Sequence, residues 1–201
     1  MLKNYPDFVE IRGEKYYFNT DFSNWIKILQ AGDDLQLNDE EQIAIQLRLA
    51  YRDYEKIRPE IVKNFADFWQ SLHWFLRCGK AEADGSNAPQ TYDFEQDWDY
   101  IAAAFEAQYG KNLDEIRAHW WWFISRFNAL DSESQFMKIV GYRAMNLSDI
   151  SDKKRRGQYA KLKQQYALKS KWEDYENAKA DDEVERIIAR AQRKAEERKH
   201  G

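Results

Sequence analysis

Residues 38–79 read NDEEQIAIQLRLAYRDYEKIRPEIVKNFADFWQSLHWFLRCG, and the spacing of large groups in this stretch decides the fold class. Asn38, Asp39, Glu40 and Glu41 are residue types that start helices, because the first can accept an amide hydrogen bond and acids suit the positive end of the helix dipole. Behind them Ile43, Leu47, Tyr51 and Tyr54 recur at helical spacing up to Arg58-Pro59, which predicts an amphipathic helix. Pro59 is suited to open the next helix, since the N–H it lacks has no partner in a first turn. That helix carries Ile61, Phe65, Phe68, Trp69, Leu72, Trp74, Phe75 and Leu76 toward a stop at Gly79. Aromatics nearly encircle it, so much of it is expected to be buried.

On the N-terminal side, Phe8 to Ile11 and Tyr16 to Phe18 are β-prone runs around the Gly13 turn, the pattern of a hairpin. Thr20-Asp21-Phe22 caps a short helix with Trp25, Ile26, Ile28 and Leu29, ending near Gly32. On the C-terminal side, Lys80 to Gln90 has the small-residue composition of a flexible connection. Asp93, Asp97, Trp98, Ile101, Phe105 and Tyr109 then build a helix ending at Gly110. Asn112-Leu113-Asp114-Glu115 is expected to start another, running through His119 and Phe123 to Leu130 and packing antiparallel to the first. Ser132 to Gln135 precede a further helix with Phe136, Ile139, Val140, Tyr142 and Met145. From Ser151 the chain is highly charged, with Tyr159, Leu162, Tyr166 and Leu168 as a narrow apolar stripe. Beyond Trp172 only Val184, Ile187 and Ile188 interrupt acids, bases and alanines, so that tail is expected to be helical or mobile and to add little core.

The expected fold is therefore mostly α: a helical domain with a small N-terminal β-hairpin and a charged C-terminal helix or tail. Residues 1–79 form the hairpin and first helices, 80–92 a linker, 93–170 an aromatic-rich helical segment packed with the first, and 171–201 the tail.

Hydrophobic residues make up 43% and charged residues 33% of the 201, enough to bury a core and keep a wetted surface. The net charge of −4 gives no general attraction to phosphate backbones, so protein partners are expected rather than nucleic acid. Cys78 is alone, which excludes an intramolecular disulfide and a Cys-based zinc site within one chain. Residues 1–6 lack the apolar core of a signal peptide and no stretch approaches a spanning helix, so a cytoplasmic protein with no membrane association is expected.

Catalytic constellations are missing. His73, His119 and His200 form no helical metal motif, and every glycine is isolated, which leaves no phosphate loop, dinucleotide fingerprint or nucleophile elbow. No cofactor, metal or catalytic residue is expected. The alternating acids of Asp93, Glu95, Asp97 and Asp99 lack the central Gly and terminal Glu of a calcium loop and suit a helix N-terminus instead. The run Lys153 to Arg156 belongs to an acidic chain and fits a solvated face.

The strongest local feature is His119-Trp120-Trp121-Trp122-Phe123. Five consecutive rings on a helix point to every side, so some bury in the core while others meet a second layer or another molecule. Trp120, Trp121 and Trp122 are accordingly the candidate partner-binding residues, with Phe123 and Tyr142 assigned to the core. His119, isolated among tryptophans, is expected to be structural rather than a proton carrier.

Asp97-x-x-Tyr100-Ile101-x-x-Ala104-Phe105-x-x-x-Tyr109-Gly110, Leu113-Asp114, His119-Trp120-Trp121-x-Phe123, Phe127-x-x-Leu130 and Phe136 to Arg143 together resemble the bacteriophage family known as gene product fifteen. The likeness continues through Asp149-Ile150 and Lys153 to Leu168, and the hairpin with Thr20-Asp21-Phe22 is similar to the family's N-terminal pattern. Trp122 follows the family's tryptophan pair as a third. The resemblance implies a tail-assembly chaperone of long-tailed phages. Such a chaperone coats the tape-measure protein, keeps it soluble and hands it to tail-tube assembly, where the major tail protein polymerises. It implies self-association on that client, residence in the bacterial host cytoplasm and absence from the mature virion. The alternative is a structural tail-completion or connector protein of the virion.

Overall fold

The hairpin turn is built from two left-handed residues, Arg12 at φ 54° and Gly13 at φ 86°, a pair whose twist matches that of the flanking strands. In the computed structural model, which describes residues 4–81, 89–172, 175, 176, 179 and 186, the strands are β1 (Phe8–Ile11) and β2 (Glu14–Tyr17), antiparallel with Val9 opposite Tyr16. Ile11, Tyr16 and Phe18 are buried, and Tyr16 meets Phe68 edge-on at 4.7 Å.

Eight helices follow among the described residues. In α1 (Phe22–Gly32) the Asp21 carboxylate caps the first turn by accepting from the Ser23 N–H at 3.0 Å. The next helix, α2 (Asp39–Ala50), opens on a capping box in which Asn38 and Glu41 each accept from the other's N–H at 3.0 Å.

The single helix expected up to Arg58 is broken at Tyr51. Tyr51 is extended and bridges Phe18, the Arg52 N–H donates to the Tyr17 carbonyl, and Asp53 takes φ 52° before α3 (Tyr54–Lys63) begins. Tertiary pairing with the hairpin outweighs helical periodicity there. Pro59 does not open a helix but lies inside α3, on its solvent side, where the Glu55 carbonyl it leaves without a helical partner can face water. The break falls instead at Asn64, before α4 (Phe65–Leu76), whose Phe68, Leu72 and Phe75 are fully buried.

After α5 (Trp98–Tyr109), closed by Gly110 at φ 60°, the chain forms only a turn near Asn112 and then runs extended. Ala118 accepts from the Phe22 N–H, His119 bridges Asp21 and the Trp120 N–H donates to Thr20, so α6 (Trp120–Phe127) starts later than expected. The antiparallel pairing expected of α5 with this helix is also revised. The nearest helical neighbour of α6 is α1, and that of α5 is α7 (Gln135–Ala144). α5 and α6 touch through side chains, Phe105 stacking on Phe123 at 5.3 Å and the Tyr109 hydroxyl donating to the Arg126 carbonyl.

A 3-10 turn (Leu147–Asp149) leads to α8 (Lys153–Gln165), which buries no residue. The charged helix expected there is present.

One aromatic core joins these elements. Phe75 packs on Phe18 at 4.4 Å and Trp25 at 4.5 Å, Trp120 lies against Trp25 and Phe123, and Phe127 carries the series to Phe136. The chain divides into units Met1–Leu168 and Lys169–Gly201. In the second, Trp172 meets Tyr175 edge-on and the Lys179 ammonium lies over the Tyr175 ring. Most of the linker assigned to 80–92, residues 82–88, and most of the tail, including Val184, Ile187 and Ile188, lie outside the described residues. No helix among those described is long and apolar enough to cross a membrane.

Candidate functional site

A helix leaves its last carbonyls without intrahelical partners, and the end of α4 is met by two consecutive tryptophans. The Trp120 indole N–H donates to the Leu76 carbonyl at 2.9 Å and that of Trp121 to the Phe75 carbonyl at 2.8 Å. Trp120 is 2% exposed, so it cannot itself touch a partner without opening the core. Trp121 is half-buried between Trp74, Phe75 and Tyr5. Its ring also presses on Gly79: a Cβ there would lie 2.9 Å from Trp121 Cη2, and φ is +73°. Gly79 is thus fixed both by backbone conformation and by the indole beside it.

His119 caps α6. Its Nδ1 accepts from the Trp121 N–H at 3.0 Å while Nε2 lies 2.9 Å from the Pro6 carbonyl. An acceptor at Nδ1 and a donor at Nε2 are satisfied together only by the neutral ring with its proton on Nε2. Burial lowers the His119 pKa from its ordinary value, against the opposing pull of the Pro6 carbonyl and the Asp7 carboxylate. The structural role expected of this histidine is the one it occupies, and it fastens residues 5–7 to α6, with Tyr5 stacked on it at 5.0 Å.

Trp122 differs from its neighbours. It is half-buried like Trp121, but its indole N–H donates to no group among the described residues, and the Arg126 guanidinium lies 4.1 Å from its ring centre. With Tyr5, Ile116, Ala118 and His119 it lines a cavity of about 400 Å³ whose charged members are Lys111 and Arg117. Trp120 and Trp121 therefore close the fold, and Trp122 is the member of the trio that lines a cavity and whose indole N–H is not spent among the described residues. Phe123 is core as expected, whereas Tyr142 is half-buried between α7 and α8, against Tyr166 at 6.0 Å and Tyr159 at 6.3 Å.

The acids at the start of α5 do more than face a helix dipole. Asp93 accepts from the Glu95 and Gln96 N–H groups. Asp97 makes no side-chain cap; it is 1% exposed and takes both Arg143 Nη atoms, at 2.6 and 2.9 Å. Arg143 donates further to the carbonyls of Tyr166 and Thr91, so one guanidinium ties α5, α7, the end of α8 and the strand of chain before Asp93. The two residues stand 46 positions apart, and in the sequence Asp97 reads as one of the alternating acids of a helix start, so nothing local pairs them.

Over residues 2–168 the chain matches the family described as Bacteriophage Gp15 protein. It belongs to that family. No curated protein and no solved structure matches. In this Gp15-family chain His119, Trp120, Trp121, Asp97 and Arg143 all hold the fold together through side-chain hydrogen bonds, while the Trp122 ring lines a cavity with its indole N–H unspent among the described residues. Tyr5, Lys111 and Arg117, which share its cavity, carried no sequence signal: they come from segments that only the extended run before α6 brings together.

Proposed function

We propose that this Gp15-family protein is a tail-assembly chaperone that holds the tape-measure protein of its phage through repeated, individually modest contacts, by binding rather than by catalysis. The observation that carries the reading is a surplus of aromatic surface on a well-packed acidic body. Val62 is 72% and Phe65 42% exposed, Phe65 stacks on half-buried Trp69, and Trp69 meets His73 edge-on along one face of α4. Together with Trp122, these faces suit the apolar stripes of a long helical client. Each patch is small, so several copies side by side supply retention through avidity while single copies stay displaceable. In this reading the chain works in the host cytoplasm, meets the major tail protein at handover and is left out of the finished particle.

The test is co-expression with the tape-measure protein of the same genome, then pull-down and size-exclusion chromatography. A client that stays soluble only with this chain, in a complex holding many copies, is the expected result. An insoluble client, with this chain present in purified particles, replaces the reading with that of a structural tail component.

A further inference from the structure

The cavity beside Trp122 has a charge composition that selects its occupant. Lys111 and Arg117 line it, no carboxylate does, and among the described residues neither cation forms an ion pair. Arg117 reaches only the carbonyl of its own neighbour, Ile116, at 3.4 Å. Arg126 adds a third guanidinium at the rim, over the Trp122 ring. The walls between these charges are apolar: Tyr5, Ile116, the Trp122 ring and the face of His119, whose two nitrogens are both spent within the fold. A volume of about 400 Å³ lies at the low end of ligand-binding cavities, room for one or two large side chains rather than a whole cofactor. Unpaired cations around an aromatic wall attract carboxylates and repel basic segments.

We infer that this cavity takes an aliphatic side chain from an acidic helical segment of a protein partner, with carboxylates one turn away meeting Lys111 and Arg117. Naming that partner as the tape-measure client rests on the chaperone reading; the chemistry of the site does not. A helix presents both groups together, since a leucine and a glutamate three or four residues apart lie on one face. So small a contact is weak alone and becomes effective when repeated along a client.

Two synthetic helical peptides test it with the full chain: one with leucine and glutamate at such spacing, and a twin with lysine for every glutamate. Binding is read from the Trp122 indole N–H signal in NMR, assigned with Trp122→Phe, and from calorimetry at two salt concentrations. The acidic peptide is expected to shift that signal and to bind about ten-fold more tightly than its twin. The Lys111→Glu/Arg117→Glu double variant is expected to reverse the preference, and added salt to weaken binding. Trp122→Ala, which leaves the indole caps of α4 in place, is expected to abolish the interaction with folding unchanged. Equal binding of both peptides, no binding of either, or binding indifferent to Trp122→Ala overturns the inference, as does displacement of the acidic peptide by a single-stranded oligonucleotide. Should both peptides fail while the tape-measure protein still co-purifies, this site falls and the chaperone reading stands; peptide capture with an insoluble client gives the converse.

Discussion

The α4–α6 junction and the α5–α7–α8 end of the larger unit are held by different physics. At the first, stacked rings share the load: Trp25, Phe75, Trp120 and Phe123 are all fully or nearly fully buried, and two indole N–H groups donate to the Phe75 and Leu76 carbonyls at the end of α4. At the second, α8 buries nothing and is attached through the Arg143 guanidinium on the Tyr166 carbonyl, the Lys163 ammonium on the Met145 carbonyl at 2.8 Å and the half-buried Tyr142 ring against Tyr159 and Tyr166. A distributed apolar contact loses a little with each substitution. A buried charge pair loses most of its value at once, because whichever partner remains is left ionised and unpaired.

Breaking that pair should therefore give the largest single effect. Arg143→Met is expected to lower the unfolding free energy by about 3–5 kcal/mol, measured by urea titration followed by circular dichroism. Adding Asp97→Leu should restore part of the loss, since no unpaired charge then stays buried; a single-variant loss below about 1 kcal/mol would show that the pair is solvated.

At the aromatic junction Trp120→Phe keeps the stacking but leaves the Leu76 carbonyl unpaired, for an expected cost of about 1–3 kcal/mol in the same titration. Gly79→Ala should cost roughly 1–2 kcal/mol, as a left-handed position usually does, with the Trp121 indole displaced in its NMR signals. A neutral or stabilising result at Gly79 would mean that the turn can relax away from the ring.

The smallest effect concerns His119. Its pKa is lowered in the folded chain, so the unfolded chain binds more protons at pH values between the folded value and 6.5. Stability from the neutral cap is complete above pH 6.5 and lost as pH falls through the folded value. Thermal melts of the parent are thus expected to decline across that window relative to His119→Asn, which keeps a capping oxygen but has nothing to titrate. Parallel profiles would remove the neutral-ring assignment.

The elements legible in the sequence were those fixed by local chemistry: the hairpin around Gly13, the Asp21 and Asn38 caps, the Gly110 stop and the seam of α7. Those that were not legible depend on contacts distant in sequence. Tyr51 leaves its helix because Phe18 and Tyr17 offer backbone partners, and α6 begins at Trp120 because Thr20 and Phe22 hold the preceding residues extended. For the site, the sequence marked the tryptophan trio but not its division, since adjacent residues on a helix look alike until the end of α4 claims two of them. The Asp97 and Arg143 pairing was hidden because its partners stand 46 positions apart.

That division along one helical turn underlies both the chaperone reading and the acidic-segment site, and indole hydrogen exchange, resolved residue by residue in NMR, tests it most directly. The Trp120 and Trp121 indole N–H groups are expected to exchange slowly, through opening of the fold, and that of Trp122 at nearly the rate of a free side chain. Slow exchange at Trp122, or fast exchange at either of its neighbours, would contradict the account.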